Sequence, residues 1–481
     1  MTSTEDELTE LTVAEAARHI RDRKVSPIEL TEAYLARIER LNPKINAYVT
    51  VTAERALADA HRATEEIARH GPRGPLHGIP IALKDLFETA GIRTTAGSRF
   101  FAEYVPEADC TAARRLREAG SVLLGKLNTH EFAYGVTTDN PHFGATRNPW
   151  DPSRIPGGSS GGSGAAIAAS LAATTLGTDT GGSIRIPASL CGAVGLKPTY
   201  GRASKAGVFP LSYIFDHPGP IARTVEDAAL VLEAIAGYDP ADPATVRVPS
   251  EDYGTRLVGL VGLAHQPRGL KGLRVGVPRK YFYERLDDDV ASALEAAIGV
   301  LTELGAEVRD LDIALSEGAV MPLFSVVLAE AQQIHAERLR TRPGDFGQDL
   351  LAILSQTAPT AAEVTAGLLE TYKLTSLLRE ALETVDVLVT PTTPVPAVKI
   401  GQETVRYGGA EEPVLFAMVR CTGLFNATHL PALSLPCGFS RDGLPIGLQI
   451  AGRPFDESTV LAAGHAYERA TEWHRRRPRL D

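Results

Sequence analysis

Between Trp150 and Tyr200 the chain is crowded with glycine, serine and other small residues, and no other stretch limits the fold so strongly. It reads Pro156-Gly-Gly-Ser159-Ser160-Gly-Gly-Ser163, then Gly177-Thr-Asp-Thr180-Gly181-Gly182-Ser183-Ile-Arg185. Glycine admits backbone conformations closed to other residues and lets N–H groups come close to a ligand. Such a stretch is suited to turns and close approach, and the segments on either side must supply the regular elements.

They do. Thr12-Val-Ala-Glu15 and Ser26-Pro-Ile-Glu29 are both capping boxes, the second with proline at the first helical position. Leu30, Tyr34, Ile38 and Leu41 then recur at helical spacing. Residues 76–84 read as a strand entering the core, and 121–126 as another, after a helix over 111–119. A strand at 273–278, an amphipathic helix at 288–304 and a strand at 307–311 form a β-α-β pattern. The pattern at 315–383 is almost entirely helical and leads into a strand at 385–390. Two segments, 431–436 and 445–451, flank Ser440-Arg-Asp-Gly443 as a hairpin, and 456–473 closes the chain as a helix. Strands alternating with helices predict an α/β fold with a sheet covered on both faces. The Pro- and Asp-rich segment 237–269 reads as a surface connection rather than a linker, so one large domain over 1–481 is expected.

Of the 481 residues, 44% are hydrophobic and 22% charged, enough apolar matter for a large core. The net charge of −10 repels phosphate backbones and argues against nucleic-acid binding. The one basic cluster, Arg475, Arg476, Arg477 and Arg479, falls at the end of the last expected helix, where it suits the macrodipole. Cys110, Cys191, Cys421 and Cys437 form no CxxC pair, so buried free thiols are expected rather than a zinc site or disulfides. The acidic start lacks the basic-then-apolar order of a signal peptide, and no apolar run approaches the roughly 20 residues that span a bilayer. A cytoplasmic protein without membrane attachment is the expectation.

Three readings compete for the glycine-rich middle. A phosphate cradle would suit the composition, but neither G-x-x-x-x-G-K-[ST] nor a strand-borne G-x-G-x-x-G is present. Gly157-Gly-Ser159-Ser-Gly161 matches the G-x-S-x-G elbow formally. That motif needs a strand before it, and Arg147-Asn-Pro-Trp-Asp-Pro-Ser-Arg-Ile-Pro156 carries three prolines. In addition, Asp216 and His217 are adjacent, unlike separate members of a triad. The third reading takes Lys84, Ser159 and Ser183 as one catalytic unit.

In that third reading the chain resembles the amidase signature family. The resemblance rests on Lys84 after an apolar strand, on G-G-S-S-G-G-S, on G-T-D-T-G-G-S-I-R, and on the 24 positions between Ser159 and Ser183. It continues through Cys191-Gly-Ala-Val-Gly-Leu-Lys-Pro-Thr-Tyr-Gly201, Arg223-Thr-Val-Glu-Asp-Ala228, Leu430-Pro-Ala-Leu-Ser-Leu-Pro436 and Leu444-Pro-Ile-Gly-Leu-Gln449, and covers about residues 10–472. It implies a single domain with a mixed central sheet ringed by helices, a signature core near 75–225 and a variable helical cover near 315–383. Ser183 would be the nucleophile, Ser159 the bridging serine after a cis peptide bond, and Lys84 the base.

The chemistry is consistent with those roles. A serine hydroxyl needs a positioned base, and a lysine serves only when neutral. Lowering its pKa from about 10.4 to 7 costs about 4 kcal/mol, which burial without an acidic partner supplies. Asp85, one residue on, should turn to the opposite face of the strand. Thr180, Gly181, Gly182 and Ser183 would present N–H groups to a tetrahedral oxyanion, with Asp179 and Arg185 bracing the loop. Ser160 and Ser163 read as capping or loop residues, and Tyr134 as a member of the acyl pocket. His130 and Glu131 lack an H-E-x-x-H pattern, so neither a metal nor a cofactor is expected.

The family divides into stand-alone amidases and the glutaminase subunit of tRNA-dependent amidotransferases. That subunit's S-L-D-Q-I-G-P and its glutamine after S-I-R are replaced here by Ser212-Tyr-Ile-Phe-Asp-His217-Pro-Gly-Pro220 and Ile186. Its N-L-x-R-[FY]-D-G stretch is replaced by sequence such as Gln332-Gln-Ile-His-Ala-Glu-Arg338. A small apolar or aryl amide is therefore the expected substrate, an expectation that Ile186 in place of a polar residue and the aromatics Phe209, Tyr213 and Phe215 also motivate. Glutamine hydrolysis for a tRNA amidotransferase and carbamate or ester cleavage are the alternatives. The sequence carries no sign of oligomeric state, and a homodimer stays open.

Overall fold

Both capping boxes form. Thr12 and Ser26 accept from the N–H groups of Glu15 and Glu29, and each glutamate reaches back to its cap, starting the helices Val13–Arg21 and Pro27–Ile45. The structure is a computed structural model and describes residues 4–249, 251–254, 257 and 269–480.

Among the described residues, eleven strands form one mixed sheet. In chain order they are β1 (Tyr48–Val51), β2 (Pro80–Lys84), β3 (Val122–Leu127), β4 (Thr174–Asp179), β5 (Val194–Lys197) and β6 (His217–Ala222). The rest are β7 (Arg274–Pro278), β8 (Glu307–Leu311), β9 (Val387–Pro391), β10 (Ala432–Phe439) and β11 (Pro445–Gly452). Their spatial order is β1-β3-β2-β4-β6-β5-β10-β11-β9-β7-β8. Strands β3, β2 and β4 run parallel, as do β9, β7 and β8, and the middle is antiparallel. The central strands are buried along their length, as strands covered on both faces must be. Strands β2 and β9 are mainly apolar, while β4 (Thr-Thr-Leu-Gly-Thr-Asp) is buried with small polar residues. This is the expected α/β fold, a single domain with its sheet flanked by helices.

The topology places the chemistry. Because β2 and β4 are parallel neighbours, their carboxyl ends lie on the same edge of the sheet, where ligands bind in open α/β sheets. Lys84 ends β2 and Asp179 ends β4, with the short helices Gly161–Ala168 and Arg185–Cys191 flanking β4 in sequence. Between β8 and β9 lie the helices Met321–Ile334, Ala336–Thr341, Gln348–Leu354 and Ala361–Thr384, as the helical pattern over 315–383 predicts.

Two expectations are corrected. Strand β2 starts at Pro80, because residues 76–79 make turns closed by His77 N–H to Gly74 and Ile79 N–H to Leu76. The last helix, Glu457–Ala470, ends before Thr471 turns extended, so the arginine cluster is not at its terminus. Arg477 instead pairs with Glu10 and Arg475 with Glu472, local ion pairs in place of a macrodipole contact. The connection at 237–269 is tied down where it is described, Asp239 accepting from the hydroxyls of Thr111 and Ser204 (2.6 Å each). Residues 250, 255–256 and 258–268 of that connection lie outside the described residues. All four cysteines are free and buried. Among the described residues no helix is long and apolar enough to cross a membrane.

Candidate active site

Lys84 is fully buried at the end of a fully buried strand. Its Nζ hydrogen-bonds to Ser159 Oγ at 2.7 Å and to Thr178 Oγ1 at 2.8 Å. Burial pushes its pKa down to about 7, against a weaker upward pull from Asp216 and Asp179. Asp85 points the other way, accepting from Thr95 N–H (2.9 Å) and lying 3.3 Å from Lys126 Nζ. Strand alternation thus keeps the Asp85–Lys126 pair away from neighbouring Lys84 and, among the described residues, leaves the Lys84 amine hydrogen-bonded to hydroxyls alone. The result is a poised amine.

Ser159 follows a cis peptide bond after Gly158. Its carbonyl accepts from His130 N–H (3.1 Å), Thr129 Oγ1 (3.0 Å) and Thr138 Oγ1 (3.2 Å), so the backbone behind the hydroxyl is held from three directions. The helix after it can seat only because of glycine: a Cβ at Gly162 would lie 2.5 Å from the Asn128 carbonyl oxygen. Ser160 and Ser163 do not cap this helix. Ser160 Oγ donates to the Thr178 carbonyl (3.2 Å) and Ser163 Oγ to the Leu176 carbonyl (3.1 Å), tying the helix to β4. The helix starts inside the protein, where its hydroxyls meet a strand rather than solvent.

The loop 180–183 leaves the end of β4 with its N–H groups uncommitted. Those of Thr180, Gly181, Gly182 and Ser183 meet no protein acceptor among the described residues. Gly182 has φ +139°, and a Cβ there would lie 2.3 Å from Thr422 Oγ1. Beneath the loop, Arg185 and Asp179 form a fully buried two-point ion pair (2.8 and 3.0 Å). Arg185 also donates to Asn426 Oδ1, Gln449 Oε1 and the Thr422 carbonyl at 2.6, 2.8 and 2.9 Å. Asp179 accepts further from Ile184 N–H (3.1 Å) and Asn426 Nδ2 (2.8 Å), and Arg185 with these bonds holds its carboxyl well below the usual range. Thr180 Oγ1 donates to buried Asp216 at 2.6 Å.

Ser183 joins the group from the other side. The Ser160 N–H donates to its carbonyl (3.3 Å), so the two glycine-rich loops touch. Its hydroxyl makes no hydrogen bond to the protein among the described residues and faces a narrow cavity of about 50 Å³. The structure therefore joins Lys84 to Ser159 directly and sets Ser183 beside them, with its Oγ not bonded to Ser159.

That cavity is apolar, with walls that include Tyr134, Leu211, Leu323, Phe324, Val327 and Val419. Tyr134 is 7% exposed, its hydroxyl pushed up to about 12 by burial and without a protein partner among the described residues. Ile186, Phe209, Tyr213 and Phe215, which motivate the apolar substrate in the sequence, are not in the lining. Ile186 packs beneath Gly182, Tyr213 is 62% exposed and Phe215 lies in the core. The apolar wall comes from the helix Met321–Ile334 instead. His130 and Glu131 are structural ties, to Asp349 (3.0 Å) and to His142 (2.8 Å) and Gly347 N–H (2.8 Å). No group of metal-ligating side chains occurs among the described residues.

Sequence reasoning missed Thr178, Asp216, Asn426, Thr422 and Gln449. Thr178 alone carried a local signal, its place two residues before Thr180 on the strand beside β2.

A family model described as Amidase matches residues 29–461. An amidase of Pseudomonas putida is 44% identical over 479 residues, 98% of each chain. A glutamyl-tRNA(Gln) amidotransferase subunit of Geotalea daltonii is 43% identical over 500 residues, 98% of this chain and 100% of that one. The crystal structure of a bacterial aryl acylamidase of the amidase signature family superposes with a TM-score of 0.86 at 28% identity, over 97% of this chain and 98% of that one.

Proposed function

Because this chain belongs to the amidase family and is an enzyme that hydrolyses carbon–nitrogen amide bonds, we propose that it acts through Ser183, Ser159 and Lys84 on amides with an apolar acyl group. The observation that carries the proposal is the buried amine at hydrogen-bond distance from Ser159, beside a cavity that exposes the Ser183 hydroxyl.

Ser183 Oγ attacks the amide carbonyl and passes its proton to Ser159, whose own proton moves to neutral Lys84. The oxyanion falls among the free N–H groups of residues 180–183, where preorganised donors are typically worth a hundredfold or more each. Collapse of the tetrahedral species expels the amine, which takes the proton back along the same path. Water then cleaves the acyl ester in the mirror sequence. The Ser183 hydroxyl must turn onto Ser159 for the first step. Catalytic hydrogen bonds are often loose before substrate binds and tighten with it. Asp179 and Arg185 hold the loop in place, and residues 315–383 cover the acyl site.

Glutamine is the main rival substrate, favoured by the likeness to the amidotransferase chain. Free glutamine brings an ammonium and a carboxylate, and the cavity lining contains no charged side chain to meet either. Unpaired burial of those charges is costly, which supports a neutral substrate. The aryl acylamidase likeness supports anilides within that class. The same machinery would open esters and carbamates of similar shape.

A panel of anilides, primary amides, esters, carbamates and glutamine, run beside fluorophosphonate labelling, tests the proposal. Wild type should be labelled and prefer uncharged apolar acyl groups, while Ser183→Ala should show neither labelling nor turnover. Labelling that persists in Ser183→Ala would remove the nucleophile. Glutamine as the one substrate cleaved would move the chain to the other branch.

A further inference from the structure

The helix Met321–Ile334 carries two kinds of residue on one face. Leu323 and Val327 line the cavity, and Glu330 follows at the same helical spacing. Glu330 accepts the Ser212 hydroxyl and the Tyr213 N–H, the latter at 3.1 Å. From the inner side, Asp216 accepts the N–H groups of Leu211 (2.9 Å) and Ser212 (3.1 Å) and the Thr180 hydroxyl (2.6 Å). The segment 211–216 is thus gripped between two carboxylates, one on the cover and one bonded to the first residue of the donor loop. Leu211 itself lines the cavity. Among the described residues, no other side chain of this helix hydrogen-bonds to the β2–β4 core.

We propose that Glu330 is a positioning residue that couples the fit of the acyl group against the cover helix to the alignment of the oxyanion donors. The proposal rests on the reading of Ser183 as nucleophile and loop 180–183 as donor. A long acyl group passes between Leu211, Leu323 and Val327, its far end outside the cavity of about 50 Å³, and sets the helix. Glu330 carries that setting to 211–216, and Asp216 carries it to Thr180. Binding energy from a part of the substrate that does not react is thereby realised in the transition state, as a gain in kcat rather than tighter binding. A methyl group reaches none of these walls and gains nothing.

The test compares wild type, Glu330→Ala and Glu330→Gln in two series, alkyl fluorophosphonates from methyl to octyl and anilides of matching chain length. Wild-type phosphonylation of Ser183 should accelerate with chain length. Glu330→Ala should lose about tenfold at octyl and stay within about twofold at methyl, with kcat and not KM falling for the long anilides. Glu330→Gln, whose carboxamide oxygen still accepts from Ser212 or Tyr213, should recover most of the loss. An equal loss at every length, or none, overturns the coupling. If the probes label wild type while no anilide is cleaved, the substrate class falls, and the octyl-to-methyl labelling ratio still decides the role of Glu330.

Discussion

The floor of the site and its cover are built by opposite means. In the floor, Lys84, Ser159, Asp179 and Arg185 are wholly buried, polar and held by many short hydrogen bonds. In the cover, the residues that face the cavity are apolar. Among the described residues its ties toward the site include Glu330 to 212–213, Asp349 to His130, Gly347 to Glu131 and the Arg338 guanidinium over Phe132 and Phe209. Buried polar groups demand partners at fixed distance and angle, so the floor admits one geometry. Apolar contacts are non-directional and tolerate exchange at similar volume. Under the proposed mechanism the reaction is set in the floor, and the choice of substrate is left to the cover.

The sharpest break of this contrast is at Lys84. Lys84→Ala should lower kcat by about a thousandfold while leaving the acyl preference unchanged. The pH profile gives the sign. The amine works only when neutral and titrates at about 7, so wild-type kcat/KM should rise about tenfold per pH unit below 7 and level off above it. Residual activity of Lys84→Ala should be flat over the same range. A parallel rise in both proteins would remove lysine as the base. Stability should follow in the same direction. Between pH 7 and about 10.4 the unfolded chain holds a proton that the folded chain has released, so raising the pH across that window favours folding.

Next in size is Arg185→Lys. The substitution keeps the charge but gives up the planar fork that meets Asp179, Asn426, Gln449 and the Thr422 carbonyl together. We expect about a hundredfold loss of kcat and a loss of stability of about 3 kcal/mol, read by urea unfolding. A variant that unfolds early yet keeps wild-type kcat would show that the brace serves the fold alone.

The same contrast governs what could be read in advance. Lys84, Ser159, Ser183 and the Asp179–Arg185 pair could be named in advance because each sits in a short motif that carries the resemblance. The partners that complete the network could not. Asn426, Thr422 and Gln449 reach Arg185 from more than 230 positions away. Gln449 closes a stretch that carries the resemblance, but nothing local in any of the three shows that it meets Arg185. The cavity wall was legible only at Tyr134. Ile186 and Phe215, apolar residues near the signature, suggested an apolar substrate, but folding turned them inward as support. Leu323 and Val327, which do line it, sit in a helical pattern indistinguishable from one that packs a core. Helical periodicity shows which face is covered, not whether protein or substrate covers it.

Equal truncations on the two sides sharpen the point further. Leu435→Ala, in the sheet on β10, should cost about 2–5 kcal/mol of stability with no change of preference. Leu323→Ala enlarges a space already open to ligand. It should cost less stability and shift kcat/KM about tenfold toward longer acyl groups, measured on anilides from acetyl to octanoyl. If Leu323→Ala destabilises as much as Leu435→Ala and leaves the preference alone, the cover helix is core and the division fails.

The smallest effect should come from Tyr134, where the two regions meet. Its hydroxyl is the one polar side-chain group in the cavity lining, apart from the committed Thr180 and the reacting Ser183, and no protein group among the described residues satisfies it. The hydroxyl opens onto the cavity rather than being sealed in without a partner, so it is free to donate to a substrate acceptor, a bond worth about 1 kcal/mol. With its pKa raised to about 12, the phenol remains a donor across the working pH range. Tyr134→Phe should leave plain alkanoyl anilides unaffected and lower kcat/KM about fivefold for acyl groups that carry an ether or carbonyl oxygen within reach. Equal loss on both kinds of substrate would assign the hydroxyl to the reaction itself, on the floor's side of the boundary. No loss on either would leave selection to shape alone, which the Leu323 series measures independently.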